Sequence, residues 1–237
     1  MKRTSHGMVL GENGDKMSKS RGNVVNPDEY IKEYGADSFR MYIMFMGAFD
    51  QPIPWNPQGT KGCRRFLDRV WRLQDMLSSE SGVRDSLKAS LHSTIKKVGE
   101  DIERMKFNTA IAALMSFVND VYTVGNITKE ELRTLLILLC PFAPHIAEEI
   151  NEQAALGCPL YEAEWPAYDE SALCADMVEM GVQVNGKVRA RISVPAGADQ
   201  ATVEAAALAD EQVKPFLEGK TVRKVIVVKN IVNIVVG

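Results

Sequence analysis

The sequence predicts a mainly α-helical protein that closes with a small α+β domain. Three observations carry this expectation. Apolar residues recur at helical spacing from Gln58 to about Ala155. Two Pro-containing stretches, FDQPIPWNPQG and LYEAEWPAYDESALCAD, interrupt the periodic segments. Beyond residue 177 the period drops from about 3.6 to 2 and β-branched residues crowd together. The expected order is a Lys/Ser-rich loop with two short helices over 1–57, an antiparallel helical bundle over 58–158, a linker over 159–176 and a β-β-α-β-β domain over 177–237.

Each element has a local reason. Gly7 to Leu10 reads as a short strand whose partner lies far along the chain or outside it. In NPDEYIKEYG, Asn26 can cap a helix, Pro27 suits its first position, Asp28 and Glu29 favour the positive end of the dipole, and Gly35 stops it. Ala36 to Met46 forms a second, apolar helix. Phe66, Leu67, Val70, Leu73 and Leu77 share a face at helical spacing. Leu87 to Met105 and Ala110 to Tyr122 continue the helical series. Thr128 and Glu131 have capping-box spacing and open a further helix. Pro141 ends that helix and Pro144 begins another through Ile150. In the last domain Asn185-Gly186 is a two-residue hairpin turn, Thr202 is placed as the cap of an Ala-rich helix, and VRKVIVV and IVNIVV are strands around Lys229-Asn230.

Composition narrows the function classes. A net charge of −3 gives no global basic field, so any nucleic-acid binding must come from local patches. Cys63, Cys140, Cys158 and Cys174 are far apart and lack metal-ligand spacing, so they read as reduced thiols of a cytoplasmic protein, with no metal bound by the chain. The most apolar segment, Leu132 to Phe142, is too short to span a membrane, and no signal peptide is recognisable.

GDKMSKSRGN (Gly14 to Asn23) is the most unusual stretch. Lys16 and Lys19 lie three apart among the hydroxyls of Ser18 and Ser20, with Gly14 and Gly22 permitting tight backbone. Such a loop can close on a polyphosphate, because ammonium groups neutralise charge while hydroxyls and backbone N–H groups fit the oxygens. It is not a Walker loop, and a solvated basic turn is the alternative on composition alone.

The segment Lys16-Met-Ser-Lys-Ser20 matches the second signature of class I aminoacyl-tRNA synthetases. RGNVVNPDEYIKEYGADSFRMYIMF resembles the segment after that signature in the branch that charges leucine, isoleucine, valine and methionine. RRFLDRVWRL, CPFAPHIAEEI and EAEWP resemble the helical tRNA-binding domain of the bacterial leucyl members. VQVNGKVRARISVP through IVVG resembles their small C-terminal domain, which contacts the corner of the tRNA. The resemblance covers essentially the whole chain. It implies an anticodon-binding type of bundle, and a loop that stabilises ATP phosphates during leucyl-adenylate formation. Lys19 is then the main phosphate contact and Lys16 its helper, with Met17, Ser18 and Ser20 as loop-shaping or backbone contacts. The implied partners are tRNA(Leu), and ATP and leucine through a catalytic half outside this chain, with Mg2+ expected in the full enzyme and neither DNA nor membrane involved.

The first family signature, His-Ile-Gly-His, is missing; His145-Ile146 lies in a helical segment and does not replace it. The chain is therefore expected to be the C-terminal portion of a longer ligase, beginning just before the Lys/Ser loop, and inactive alone. A non-catalytic tRNA-binding paralogue or subunit is the alternative.

Candidate RNA contacts are two groups of cations. Residues 181–237 carry eight Lys/Arg against five Asp/Glu, a local surplus of three. Lys187, Arg189 and Arg191 alternate along the hairpin, which puts all three on one face of a strand, a row able to follow a phosphate backbone or else a solvated polar face. In the helical region Arg64, Arg65, Arg69 and Arg72 face an RNA stem or else pair with Asp68 and Asp75. Trp71 is expected in the core rather than stacked on a base. His6, His92 and His145 form no nucleophile or metal constellation and read as structural.

Overall fold

A computed structural model describes residues 5–175, 177–195, 200–210, 212–217, 220, 222–228 and 230–237. It is mainly helical with a small sheet, and it divides into two compact units, Met1–Asp169 and Glu170–Gly237.

The first unit begins with β1 (Val9–Leu10), α1 (Pro27–Tyr34), α2 (Ala36–Phe45) and β2 (Ile53–Pro54). Here the strand partner is found: β1 pairs in parallel with β2, inside the Pro-rich connector. The proline is tolerated because the ladder uses its neighbours. Ile53 N donates to Met8 O (3.0 Å) and Trp55 N to Leu10 O (2.9 Å), leaving Pro54 at a position that needs no donor. Asn26 Oδ1 accepts from Asp28 N to cap α1, and Gly35, at φ 89°, ends it.

Trp55 then knits the connector to α1 and α2. Its ring stands edge-on to Tyr30 and Tyr42, both at 4.9 Å, and its Nε1 donates to Tyr30 Oη (3.1 Å). Gly59 lies so close to the Tyr42 ring that a Cβ there would stand inside it.

Five helices come next: α3 (Pro57–Trp71), α4 (Asp85–Glu103), α5 (Phe107–Val124), α6 (Lys129–Leu139) and α7 (Pro144–Gln153). They share one core with the start of the chain, including Met41, Phe66, Leu67, Val70, Leu73, Leu91, Ile111, Phe117, Leu135 and Phe142. The capping box at Thr128 and Glu131 forms as the spacing predicts. Glu131 has a second use that the spacing does not reveal. Fully buried, it also accepts from Arg84 N (2.9 Å) and Arg84 Nη2 (2.7 Å), tying the α3–α4 connection to the start of α6. Burial alone would push its carboxyl up, but hydrogen bonds from Arg84 and Thr128 hold it below the usual carboxylate range.

Residues 159–169 run along this unit. Leu160 is buried, Leu160 N and Tyr161 N donate to the Glu148 carboxylate, and Asp169 N donates to His92 Nδ1 (3.1 Å).

The second unit holds β3 (Met177–Val184), β4 (Lys187–Pro195), α8 (Gln200–Ala209), a one-turn α9 (Lys214–Leu217), β5 (Val222–Val228) and β6 (Ile231–Val236). The strand order is β4-β3-β6-β5. Two antiparallel pairs, β3/β4 and β5/β6, meet through a parallel β3/β6 contact. Asn185 and Gly186 both take positive φ (48° and 78°), as their turn requires. The buried face carries Val182, Val184, Ile192, Val232 and Ile234 against Val203 and Ala207 of α8. Thr202 does not cap α8: the helix opens at Gln200 and Thr202 falls in its first turn. Lys229 lies outside the described residues.

Candidate phosphate-binding loop and nucleic-acid interface

The Lys/Ser loop is fastened at both ends. Leu10 of β1 forms an antiparallel bridge with Lys16, while Gly11 N donates to Asp15 O (2.8 Å) and Gly14 N to Gly11 O (2.9 Å). Gly14 takes φ 80°, which makes that tight return possible. Met17 packs its side chain against the core of the first unit. Lys19 to Arg21 then make one 3-10 turn, closed by Gly22 N donating to Lys19 O (3.2 Å) with Gly22 at φ 65°.

Within this frame Lys16 and Lys19 are exposed, and the Ser18 and Ser20 hydroxyls lie 3.1 Å apart. The ion pair seen in the loop joins Arg21 to Asp15 at 3.9 Å, both in solvent. Among the described residues neither lysine is joined to a carboxylate. Two ammonium groups beside two hydroxyls suit several oxygens of one polyphosphate.

One residue of this frame is missed by a reading of charges alone. Asn23 Oδ1 accepts from Ser18 N (2.9 Å), and Asn23 Nδ2 donates to Lys16 O (3.3 Å). A carboxamide carries both donor and acceptor, so the signal that could have found it is an Asn closing a Gly-bounded loop.

The arginines of α3 separate. Arg64 pairs with Asp68 (2.8 Å) and donates to Tyr34 O (3.2 Å). Arg69 lies over the Tyr122 ring at 4.5 Å and donates to Asn119 Oδ1 (2.8 Å). Arg65 and Arg72 are exposed, and among the described residues neither is joined to a carboxylate. Trp71 is not in the core. It is 39% exposed at the end of α3, because Val70 and Leu73 take the inward directions there. The indole borders a groove of about 590 Å³ lined also by Tyr34, Leu67, Arg64, His145 and Ile146. His145 has a structural partner: its Nδ1 lies 2.7 Å from Asp37 Oδ1, while Asp37 Oδ2 accepts from Ile146 N (2.7 Å), so Asp37 ties α2 to the start of α7. No local pattern signals this contact, which spans 108 residues.

The row of cations on β4 is broken. Val182 faces Ala190 but Gln183 faces Val188, so Arg189 is the extra residue of a bulge. Lys187 consequently stands opposite Val184, at the margin of the buried face, and Arg191 opposite Gly181. Arg189 lies over the Phe216 ring at 4.2 Å, and Arg191 is 3.6 Å from Glu179. All three remain exposed, but they do not form one row.

Among the described residues no group of three His, Cys, Asp or Glu side chains is placed to hold a metal ion. Nor is any described helix long and apolar enough to cross a membrane.

Comparison with known proteins fits both regions. Residues 86–205 match the anticodon-binding domain of tRNA ligase, and residues 2–54 match the class I tRNA synthetases of the I, L, M and V group. The leucine–tRNA ligase of Alkaliphilus oremlandii is 49% identical over 238 residues, covering 99% of this chain and 29% of that protein. The leucine–tRNA ligase of Herpetosiphon aurantiacus is 47% identical over 243 residues, covering 98% of this chain and 30% of that protein. A solved ternary complex from Agrobacterium radiobacter, described as LeuRS-tRNA-LeuAMS, superposes with a TM-score of 0.72 at 33% identity, over 98% of this chain and 32% of that one. The chain thus spans under a third of the length of the relatives it matches. It belongs to the tRNA ligase family that carries this anticodon-binding domain, and corresponds to the C-terminal portion of the leucine–tRNA ligases.

Proposed function

We propose that this chain supplies two working parts of a leucine–tRNA ligase: the loop that grips ATP phosphates during leucyl-adenylate formation, and the surfaces that dock tRNA(Leu). Residues 1–57 form the end of the catalytic domain, 58–158 the helical tRNA-binding domain, and 177–237 a small domain that contacts the tRNA. The observation that carries this reading is the joining, in one chain, of an exposed Lys16/Lys19 pair on a fastened loop to a tRNA ligase helical domain.

In the reaction, the carboxylate of leucine attacks the α-phosphorus of ATP and pyrophosphate leaves. Charge grows on the departing oxygens, and that is where the Lys19 and Lys16 ammonium groups contribute most. Ser18 and Ser20 offer hydroxyl donors to the same oxygens. Mg2+ would enter with ATP in the full ligase, and no step here depends on it. On this reading the exposed cations Arg65, Arg72, Lys187 and Arg191 meet tRNA phosphates, while Arg64, also exposed, pairs with Asp68 and Arg69 lies over the Tyr122 ring. The chain alone is inactive on this reading, because leucine and adenine are bound elsewhere in the full ligase, and it works in the cytoplasm.

The test is binding of this chain to leucine tRNA and methionine tRNA across a salt titration. Tighter binding of leucine tRNA, falling steeply with salt, supports the docking surfaces. Equal and negligible binding to both at low salt would sink the claim that these surfaces act without the catalytic half.

A further inference from the structure

Resting on that reading of the Lys/Ser loop, we infer that Asn23 is a positioning residue for phosphate binding, with Gly11 as its seat. Three contacts set the backbone between the two lysines. The Met17 side chain is held by the core of the first unit. On one side of Met17, Lys16 O accepts from Asn23 Nδ2 (3.3 Å); on the other, Ser18 N donates to Asn23 Oδ1 (2.9 Å). One carboxamide thus spans the residue that separates Lys16 from the Ser-Lys-Ser turn, and fixes the directions in which Lys16, Ser18 and Lys19 leave the backbone.

The amide lies close over a bare stretch of chain. A Cβ on Gly11 would come within 3.0 Å of Asn23 Nδ2. Gly11 is itself held, through its hydrogen bond to Asp15 O and its position next to Leu10 of β1. The seat therefore transmits the geometry of the β1–β2 pair to the loop. Both Asn23 contacts use backbone groups of the loop, so its own side chain leaves the lysine and serine side chains free for the phosphates.

The experiment is leucine-dependent pyrophosphate exchange in a full-length leucine–tRNA ligase that carries this segment, with ATP and leucine titrated separately. Asn23→Ala lowers kcat/KM for ATP about tenfold to a hundredfold, the cost of misplacing charged groups by about an ångström. It leaves the leucine KM and tRNA affinity unchanged. Asn23→Asp keeps the acceptor for Ser18 N and recovers part of the loss. Gly11→Ala presses a methyl on the amide and moves kcat/KM for ATP in the same direction. In the 237-residue chain, amide hydrogen exchange at Ser18 quickens in Asn23→Ala while the melting temperature holds.

Unchanged Ser18 exchange overturns the inference, as does an ATP kcat/KM within about twofold of the parent's while Lys19→Ala lowers it strongly. Parallel losses for ATP and leucine with a lowered melting temperature also overturn it, since they mark a purely structural residue. If Lys19→Ala itself leaves ATP kinetics intact, the phosphate reading fails and the role of Asn23 in it fails too, though Ser18 exchange still reports whether the amide braces the loop.

Discussion

Two short stretches each carry three cations, and the protein treats them differently. In the loop, Lys16 and Lys19 stand exposed on a backbone closed by its own hydrogen bonds and by Asn23, and among the described residues only Arg21 reaches a carboxylate, at 3.9 Å. On β4, Lys187, Arg189 and Arg191 begin from an equally suggestive spacing, but one bulge sends them in three directions. Arg189 then rests on Phe216 and Arg191 nears Glu179. Spacing in sequence predicts spacing in space only where the intervening backbone conformation is itself determined locally. The loop between Gly14 and Gly22 comes nearer to that condition, because its backbone hydrogen bonds join residues within a few positions of one another. A strand interior does not, because a single extra residue changes every face after it.

The contrast is sharpest against an ionic contact that is buried. Arg84→Ala removes the guanidinium from the buried Glu131 carboxylate, leaving it the backbone N–H groups of residues 84 and 128, and is expected to cost about 3–5 kcal/mol, read from chemical denaturation of this chain. Replacing both partners with apolar residues of similar volume should recover much of that loss, whereas no cation of the loop or of β4 should approach it. The same pair gives a pH dependence. Because the folded pKa of Glu131 lies below its unfolded value of about 4.3, its contribution is present above that pH and is lost as the pH falls through the folded pKa. A pH titration of stability should show this acid limb shrink in Glu131→Gln; an unaltered limb would mean that other carboxylates carry it.

Next in size is Lys19→Ala in a ligase carrying this segment. It should slow adenylate formation about 10²- to 10³-fold, as loss of one charge-stabilising donor does, with tRNA affinity untouched. A loss that appeared in tRNA affinity instead would erase the distinction between the two cationic stretches.

The smallest effects belong to β4, and they test the bulge directly. Arg189→Ala should cost the second unit about 0.5–1 kcal/mol through the lost contact with Phe216, measured by hydrogen exchange in that unit. Lys187→Ala and Arg191→Ala should each reduce the slope of log affinity against log salt by about one if they touch phosphates. A slope change for Arg189→Ala matching both would restore the single row that strict alternation suggested.

Much of the first unit was legible because its signals are local. Asn26 with Pro27, Gly35, and Thr128 with Glu131 each act within one helical turn, and each forms as its spacing requires. Trp71 misled because helical periodicity gives a direction but not what lies in that direction, and at the end of α3 it faces a groove. The strand at Val9–Leu10 was legible while its partner was not, since a Pro-rich segment gives no strand signal until the ladder is known to use only its neighbours' N–H groups.

The sequence by itself determined the helical periods, the caps at Asn26 and Thr128 and the hairpin turn at Asn185-Gly186. All of these depend on interactions between residues a few positions apart. Only the tertiary structure decided that β3 joins β6 in parallel, that Asp37 holds the start of α7, that Glu131 takes Arg84 into the core and that Asn23 sits over Gly11. The first three contacts bridge tens to a hundred residues, and the last depends on a loop folded back on itself. Such contacts form where burial and close packing bring distant groups together, and residue spacing carries no record of them.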